Sequence, residues 1–157
     1  MEALVLWSLI GLCLALASAV GGGLYEHIVL MPLWSKSPPS SFSVIQPATG
    51  VPLQRFWIPV HILITLAFIA SLVLAWGDRP VRQLLLIALG SYIIMRAWSA
   101  VYFIPRMLAF QKVPLDSPPS DELSRRVARW TFWTWLREPL DVLSFGASLL
   151  ALYRLEG

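Results

Sequence analysis

FWIPVHILITLAFIASLVLAW, residues 56–76, decides how the chain folds. A helix needs about 20 apolar residues to cross a hydrocarbon core, and His61 is the only ionisable residue in this stretch. Gly77-Asp78-Arg79-Pro80 follows, with glycine and proline as stop signals. A second apolar stretch, 83–105, then begins and contains Arg96. So short a link makes the two helices antiparallel neighbours.

Two more such stretches lie further out, one before this pair and one after it. Residues 3–31 carry no charge before Glu26, and residues 130–153 contain Arg137, Glu138 and Asp141. The expected fold is all-α: a polytopic membrane protein, an antiparallel four-transmembrane-helix bundle forming one domain over 1–157. Composition agrees. The chain is 57% hydrophobic and 13% charged, against roughly 25% charged in soluble domains, and its mean hydropathy is +0.69. Trp occurs 8 times, and indole rings favour the membrane–water interface. A net charge of +3, dispersed along the chain, gives no reason to expect nucleic acid as a partner. The single cysteine, Cys13, allows neither an internal disulfide nor a cysteine-based metal cluster. The small residues Ala15 to Ala19 resemble a signal-peptidase site, but the only early charge is Glu2, so the first helix is read as uncleaved.

Two connections are long. Residues 33–55 are rich in Ser and Pro and are expected to be irregular, folding as a cap over the helix ends. In 106–129, Ser120 or Asp121 is a reasonable N-cap for a short helix leading into Arg125, Arg126 and Arg129. Four crossings place both long loops on one side and both termini on the other. Lys36, Arg55, Arg106, Lys112, Arg125, Arg126 and Arg129 lie on the loop side; Arg79, Arg82 and Arg154 lie on the terminal side. The positive-inside rule then puts the long loops in the cytoplasm and both termini outside.

A charge at the bilayer centre costs about 2.5–3.5 kcal/mol on insertion scales, so such residues face the interior and mark function. Tyr92, Arg96, Ser99, Phe103 and Arg106 share one helical face, as do Thr134, Arg137, Glu138, Asp141, Ser144 and Ser148; His61 shares a face with Thr65. These stripes and the Glu26-His27 pair converge in the half of the bundle nearer the long loops. An ion pair of Arg96 with Glu138 or Asp141 that merely fixes register is the plain alternative. Trp130 to Trp135 reads first as an aromatic belt. Gly21-Gly22-Gly23 permits close packing or a bend, and is no phosphate loop.

Two chemistries suit these residues. His27 and His61, with Glu26 or Glu138 as a third ligand, could share a transition metal, or the two histidines could hold haem. Without a cofactor, a histidine can act as base and an arginine can stabilise the resulting anion. His61 or His27 is then the base, Arg137 and Arg96 the anion stabilisers, and Glu138 the orienting partner. Trp57, Trp130, Trp133 and Tyr92 would wall the substrate site.

The segment Gly23-Leu24-Tyr25-Glu26-His27-Ile28-Val29-Leu30-Met31-Pro32, with Trp130, Trp133 and Arg137 opening the fourth helix, resembles the small membrane family of unknown function that includes anthrone oxygenases. The resemblance implies a four-helix membrane fold. In members with known activity it implies cofactor-independent insertion of oxygen into an activated aromatic carbon acid. The expected function is therefore a membrane enzyme, oxygenase-like, acting on a small hydrophobic aromatic or quinone-type substrate in the lipid bilayer. A metal- or haem-binding protein and a non-catalytic membrane assembly protein are the rivals, and a homo-oligomer is compatible with each.

Overall fold

The computed structural model describes residues 2–156, which are helical almost throughout and contain no strand. The long helices are α1, Glu2–Ser35; α2, Gln54–Leu74; α3, Arg79–Gln111; and α4, Asp121–Glu156. The first 3 are long and apolar enough to cross a membrane. α4 runs for 36 residues, and Arg137, Glu138 and Asp141 interrupt its apolar sequence near the middle.

The helix ends follow from capping. The Asp78 carboxylate accepts a hydrogen bond from the Val81 amide at 3.0 Å, and Pro80 sits in the first turn, so α3 begins earlier than position 83. The Ser120 hydroxyl accepts from the Leu123 amide at 3.1 Å, and Asp121 and Glu122 lie where the helix dipole favours negative charge. The short helix expected after Ser120 is thus the first part of α4, with no break at Trp130.

Pro32 and Pro105 do not end their helices. Each follows a π-helical turn, Glu26–Leu30 in α1 and Ser99–Phe103 in α3. Met31 donates its amide to the Glu26 carbonyl and Ile104 to that of Ser99, five residues back in each case. A proline lacks an N–H and crowds the carbonyl four residues earlier. The wider winding accommodates this while the helix continues. Both π turns carry side chains of the site described below.

α1 packs against α2 and α4, and α3 packs along α4. Their core includes Leu9, Leu12 and Leu16 of α1, Ile64 and Phe68 of α2, Leu85 and Ala88 of α3, and Ala147 and Ala151 of α4. Serine hydroxyls stitch α3 to α4: Ser91 donates to the Leu140 carbonyl at 2.8 Å and Ser144 to that of Ala88 at 3.0 Å. Small residues of this kind let helix backbones approach closely. α2 and α3 are adjacent in sequence but pack against each other only sparsely. The chain connection brings them together at one end, and the space between them stays open.

The Ser/Pro-rich connection does form a cap. Its 3-10 turn, Ser40–Ile45, buries Phe42 and Ile45 in a cluster with Trp34, Phe110, Leu123, Val127 and Trp130. The Gln111 amide donates to the Ile45 carbonyl at 2.8 Å and so ties the end of α3 to this cap.

Candidate functional site

A cavity of about 1200 Å³ occupies the space between α2 and α3, floored by the π turn of α1 and the middle of α4. Of the residues expected at a site, Glu26, His27, Trp57, His61, Tyr92, Arg96, Trp130 and Arg137 all line it. The polar groups lie together on its wall, and the remaining lining is largely aliphatic.

His27 is buried in the π turn of α1. Its Nδ1 stands 2.6 Å from the Gly23 carbonyl, which can only accept, so Nδ1 carries the proton and a neutral ring keeps its lone pair on Nε2. Nε2 is buried and has no hydrogen-bond partner. Glu138 Oε2 lies 3.8 Å from Nδ1, and the ring packs against Trp135 with centroids 4.5 Å apart. Glu138 therefore stands behind His27 and does not face the large cavity.

Gly23 makes room for this carboxylate. A Cβ there would sit 2.6 Å from Glu138 Oε1 and 3.0 Å from Oε2. Gly23→Ala is expected to push Glu138 off His27, and overpacking, partly offset by the better helix propensity of alanine, is expected to cost about 1 kcal/mol. Thermal unfolding in detergent measures the loss, and an unchanged midpoint would show that Glu138 yields freely.

On α2, Trp57 lies nearly parallel to His61, with centroids 5.5 Å apart, and its indole N–H donates to Glu26 Oε2 at 2.9 Å. His61 Nδ1 is 3.1 Å from the Tyr92 hydroxyl of α3, which also lies 3.3 Å from the His61 carbonyl. On α4, Arg137 donates from Nη1 to the Ser99 hydroxyl at 2.8 Å, and Ser99 in turn donates to the Met95 carbonyl at 2.8 Å. The guanidinium lies over the Phe103 ring at 4.8 Å, and its Nε has no partner.

Three expectations need adjustment. Neither Arg96 nor Arg137 comes within 4.0 Å of a carboxylate of the described residues, so the register-fixing pair of Arg96 with Glu138 or Asp141 is not formed. Trp133 lies outside the cavity, edge-on to Trp98 at 5.9 Å. The set His27, His61 and Glu26 is not gathered around a common point: no group of three His, Cys, Asp or Glu side chains among the described residues could hold an ion. Two polar lining residues close to Arg137 stand out among those given no role in the sequence analysis. Asp141 is buried with Oδ1 unpartnered, one turn beyond Arg137. Ser99 holds Arg137. Both lay on the polar stripes, where Tyr92, Arg96, Arg137 and Glu138 were given a function and these two were not.

The fold and site thus define a helical protein with a large apolar cavity between helices and a histidine–arginine patch on its wall. No protein-family model matches the chain, and searches of curated proteins and of solved structures return no match.

Proposed function

We propose that α1 to α4 cross the bilayer as an antiparallel four-helix bundle and that the cavity is the active site of an oxygenase-like enzyme, of the kind that includes anthrone oxygenases. Outward-facing Leu4, Trp7, Leu14, Val73, Ile87, Ile94 and Leu150 support insertion, since so much exposed apolar surface suits lipid. The connections from α1 to α2 and from α3 to α4 face the cytoplasm, and the termini lie outside. In a Cys13→Ser background, Ser37→Cys and Ser117→Cys are expected to react with an impermeant maleimide from one side of sealed vesicles. Gly77→Cys should react from the other.

The observation that carries the enzymatic reading is the placement of His27, His61, Arg96 and Arg137 on one apolar cavity. The substrate is a hydrophobic aromatic ketone or quinone-type molecule with an acidic C–H. His27 Nε2 takes that proton, with Nδ1 held by the Gly23 carbonyl and Glu138 close enough to stabilise the imidazolium. Arg137 and Arg96 stabilise the enolate oxygen, which low-dielectric surroundings make more effective. His61 and Tyr92 hydrogen-bond the substrate's polar edge, and Trp57 supplies a flat wall. The electron-rich carbon then takes up O₂ and, with the proton returned from His27, becomes a hydroperoxide; O–O cleavage with loss of the second hydrogen of that carbon leaves a carbonyl and releases water.

The test uses the protein in phosphatidylcholine vesicles with anthrone under air. Oxygen uptake matched by anthraquinone formation, well above protein-free vesicles, is expected. Uptake equal to that blank would overturn the reading.

A further inference from the structure

We infer that the ligand of this cavity is a membrane-dissolved lipid with a small oxygen-bearing head and an extended apolar tail, taken in sideways between α2 and α3. The inference rests on reading the cavity as the substrate site, and it narrows the substrate class from any hydrophobic aromatic molecule to a tail-bearing one.

The walls of the cavity are its openings. Ile62, Leu66 and Ile69 of α2 and Ile93, Ile104 and Leu108 of α3 all line it, yet each is 46–58% exposed. A side chain that both lines a cavity and faces outward belongs to a slot. The sparse packing of α2 on α3 leaves that slot open along the helices. Beside the polar patch, the exposed positions of the α3 wall next to Arg96 and Ser99 include the small side chains of Ala97 and Ala100.

Most of the polar groups lie at one level of this slot, with Gln54 and Gln111 at the end nearer the cap. From His61 the apolar lining of α2 continues to Leu72, about 16 Å further along the helix axis. From Arg96 the lining of α3 continues to Leu108, about 18 Å the other way. Pockets for compact ligands measure about 300–1000 Å³, so the observed 1200 Å³ leaves room beyond a ring head. An alkyl or isoprenoid tail suits the space toward Leu72, because beyond Thr65 the walls there offer it nothing to hydrogen-bond.

Depth restricts the head. Arg96 lies near the middle of α3 and Arg137 near the middle of α4. Bringing a phosphate or zwitterionic headgroup to such a depth is costly. An uncharged phenol, aromatic ketone or quinone head reaches Arg137 and the His61–Tyr92 pair without carrying a fixed charge inward.

Photo-crosslinking in phosphatidylcholine vesicles tests this, with a long-chain 4-alkylphenol bearing a diazirine near the chain end. Labelling is expected in the slot-facing parts of α2 and α3, competed by excess unlabelled long-chain alkylphenol and not by phenol. Ala97→Trp or Ala100→Trp, either of which fills the slot from an exposed position, should remove most of the competable label. Ile94→Trp, on an outward position off the cavity, should keep it. Labelling spread over all outward faces without competition overturns the inference. So does competable label that survives both slot variants, or equal competable labelling by a diazirine phospholipid. Anthrone oxidation without competable label would leave the enzymatic reading standing and remove this one; competable label without any oxidation would do the reverse.

Discussion

His27→Gln is expected to lower kcat by about 10²–10⁴-fold, the usual contribution of a positioned general base, with little change in KM. Glutamine can still donate to the Gly23 carbonyl through its side-chain amide, so the hydrogen bond that anchors His27 has a substitute. What the variant lacks is a basic lone pair where Nε2 stands, buried and without a partner. His61→Gln should behave differently. His61 lines the cavity and is paired with Tyr92, so its loss weakens substrate placement and raises KM more than it lowers kcat. Steady-state oxygen uptake on both variants, with melting curves to show that each remains folded, separates the two roles. If His27→Gln keeps its kcat while His61→Gln loses it, the base is His61. Wild-type kcat in both variants removes histidine base catalysis from the site.

The helices and the meeting of their polar stripes were legible in the sequence for the same reason: an apolar surrounding makes every polar residue informative. Tyr92 with His61, Arg137 with Ser99 and Glu138 with His27 are contacts between positions that the stripes had turned toward one another. The cap was legible too, since a Ser/Pro-rich segment carrying Phe42 and Ile45 has to bury those side chains somewhere. Helix continuity was not. The expected helices ended at 31 and 105, and only the π turns, which depend on packing along α1 and α3, carry the chain on past Pro32 and Pro105. The gap between α2 and α3 was hidden for a related reason. A short link fixes which helix ends meet; side-chain size then decides which helices lie close. Ser91, Ser144 and Ala88 draw α3 onto α4, while the facing wall of α2 is built of Ile and Leu. Trp133 shows the limit of a face assignment: it stands at the margin of the stripe through Trp130, Thr134 and Arg137, and its ring meets Trp98 instead of the cavity.

Arg137→Gln is the second large effect, an expected loss of about 10²–10³ in kcat, as for removal of one preorganised donor to a developing oxyanion. The geometry gives the reason. Nη1 is committed to Ser99, whose own hydroxyl proton goes to the Met95 carbonyl, so the guanidinium is held in place while Nε remains unpartnered. A donor fixed in this way needs no reorganisation when charge appears on the substrate. Arg137→Lys should recover little, because an ammonium cannot offer the planar fork that bonds Ser99 through one edge and the substrate through another. Ser99→Ala keeps the charge and frees its position; a hydrogen bond to a charged group is worth about 1.5–3 kcal/mol, so its effect should be about 10- to 100-fold. The order Arg137→Gln, then Arg137→Lys, then Ser99→Ala, from most to least severe, is specific to a positioned cation. A site that needed only positive charge would tolerate lysine, and one that used Arg137 only for packing would show lowered melting temperatures with kcat per folded molecule unchanged. Near-wild-type turnover in folded Arg137→Gln would remove the arginine from the chemistry and leave the cavity as a binding site alone.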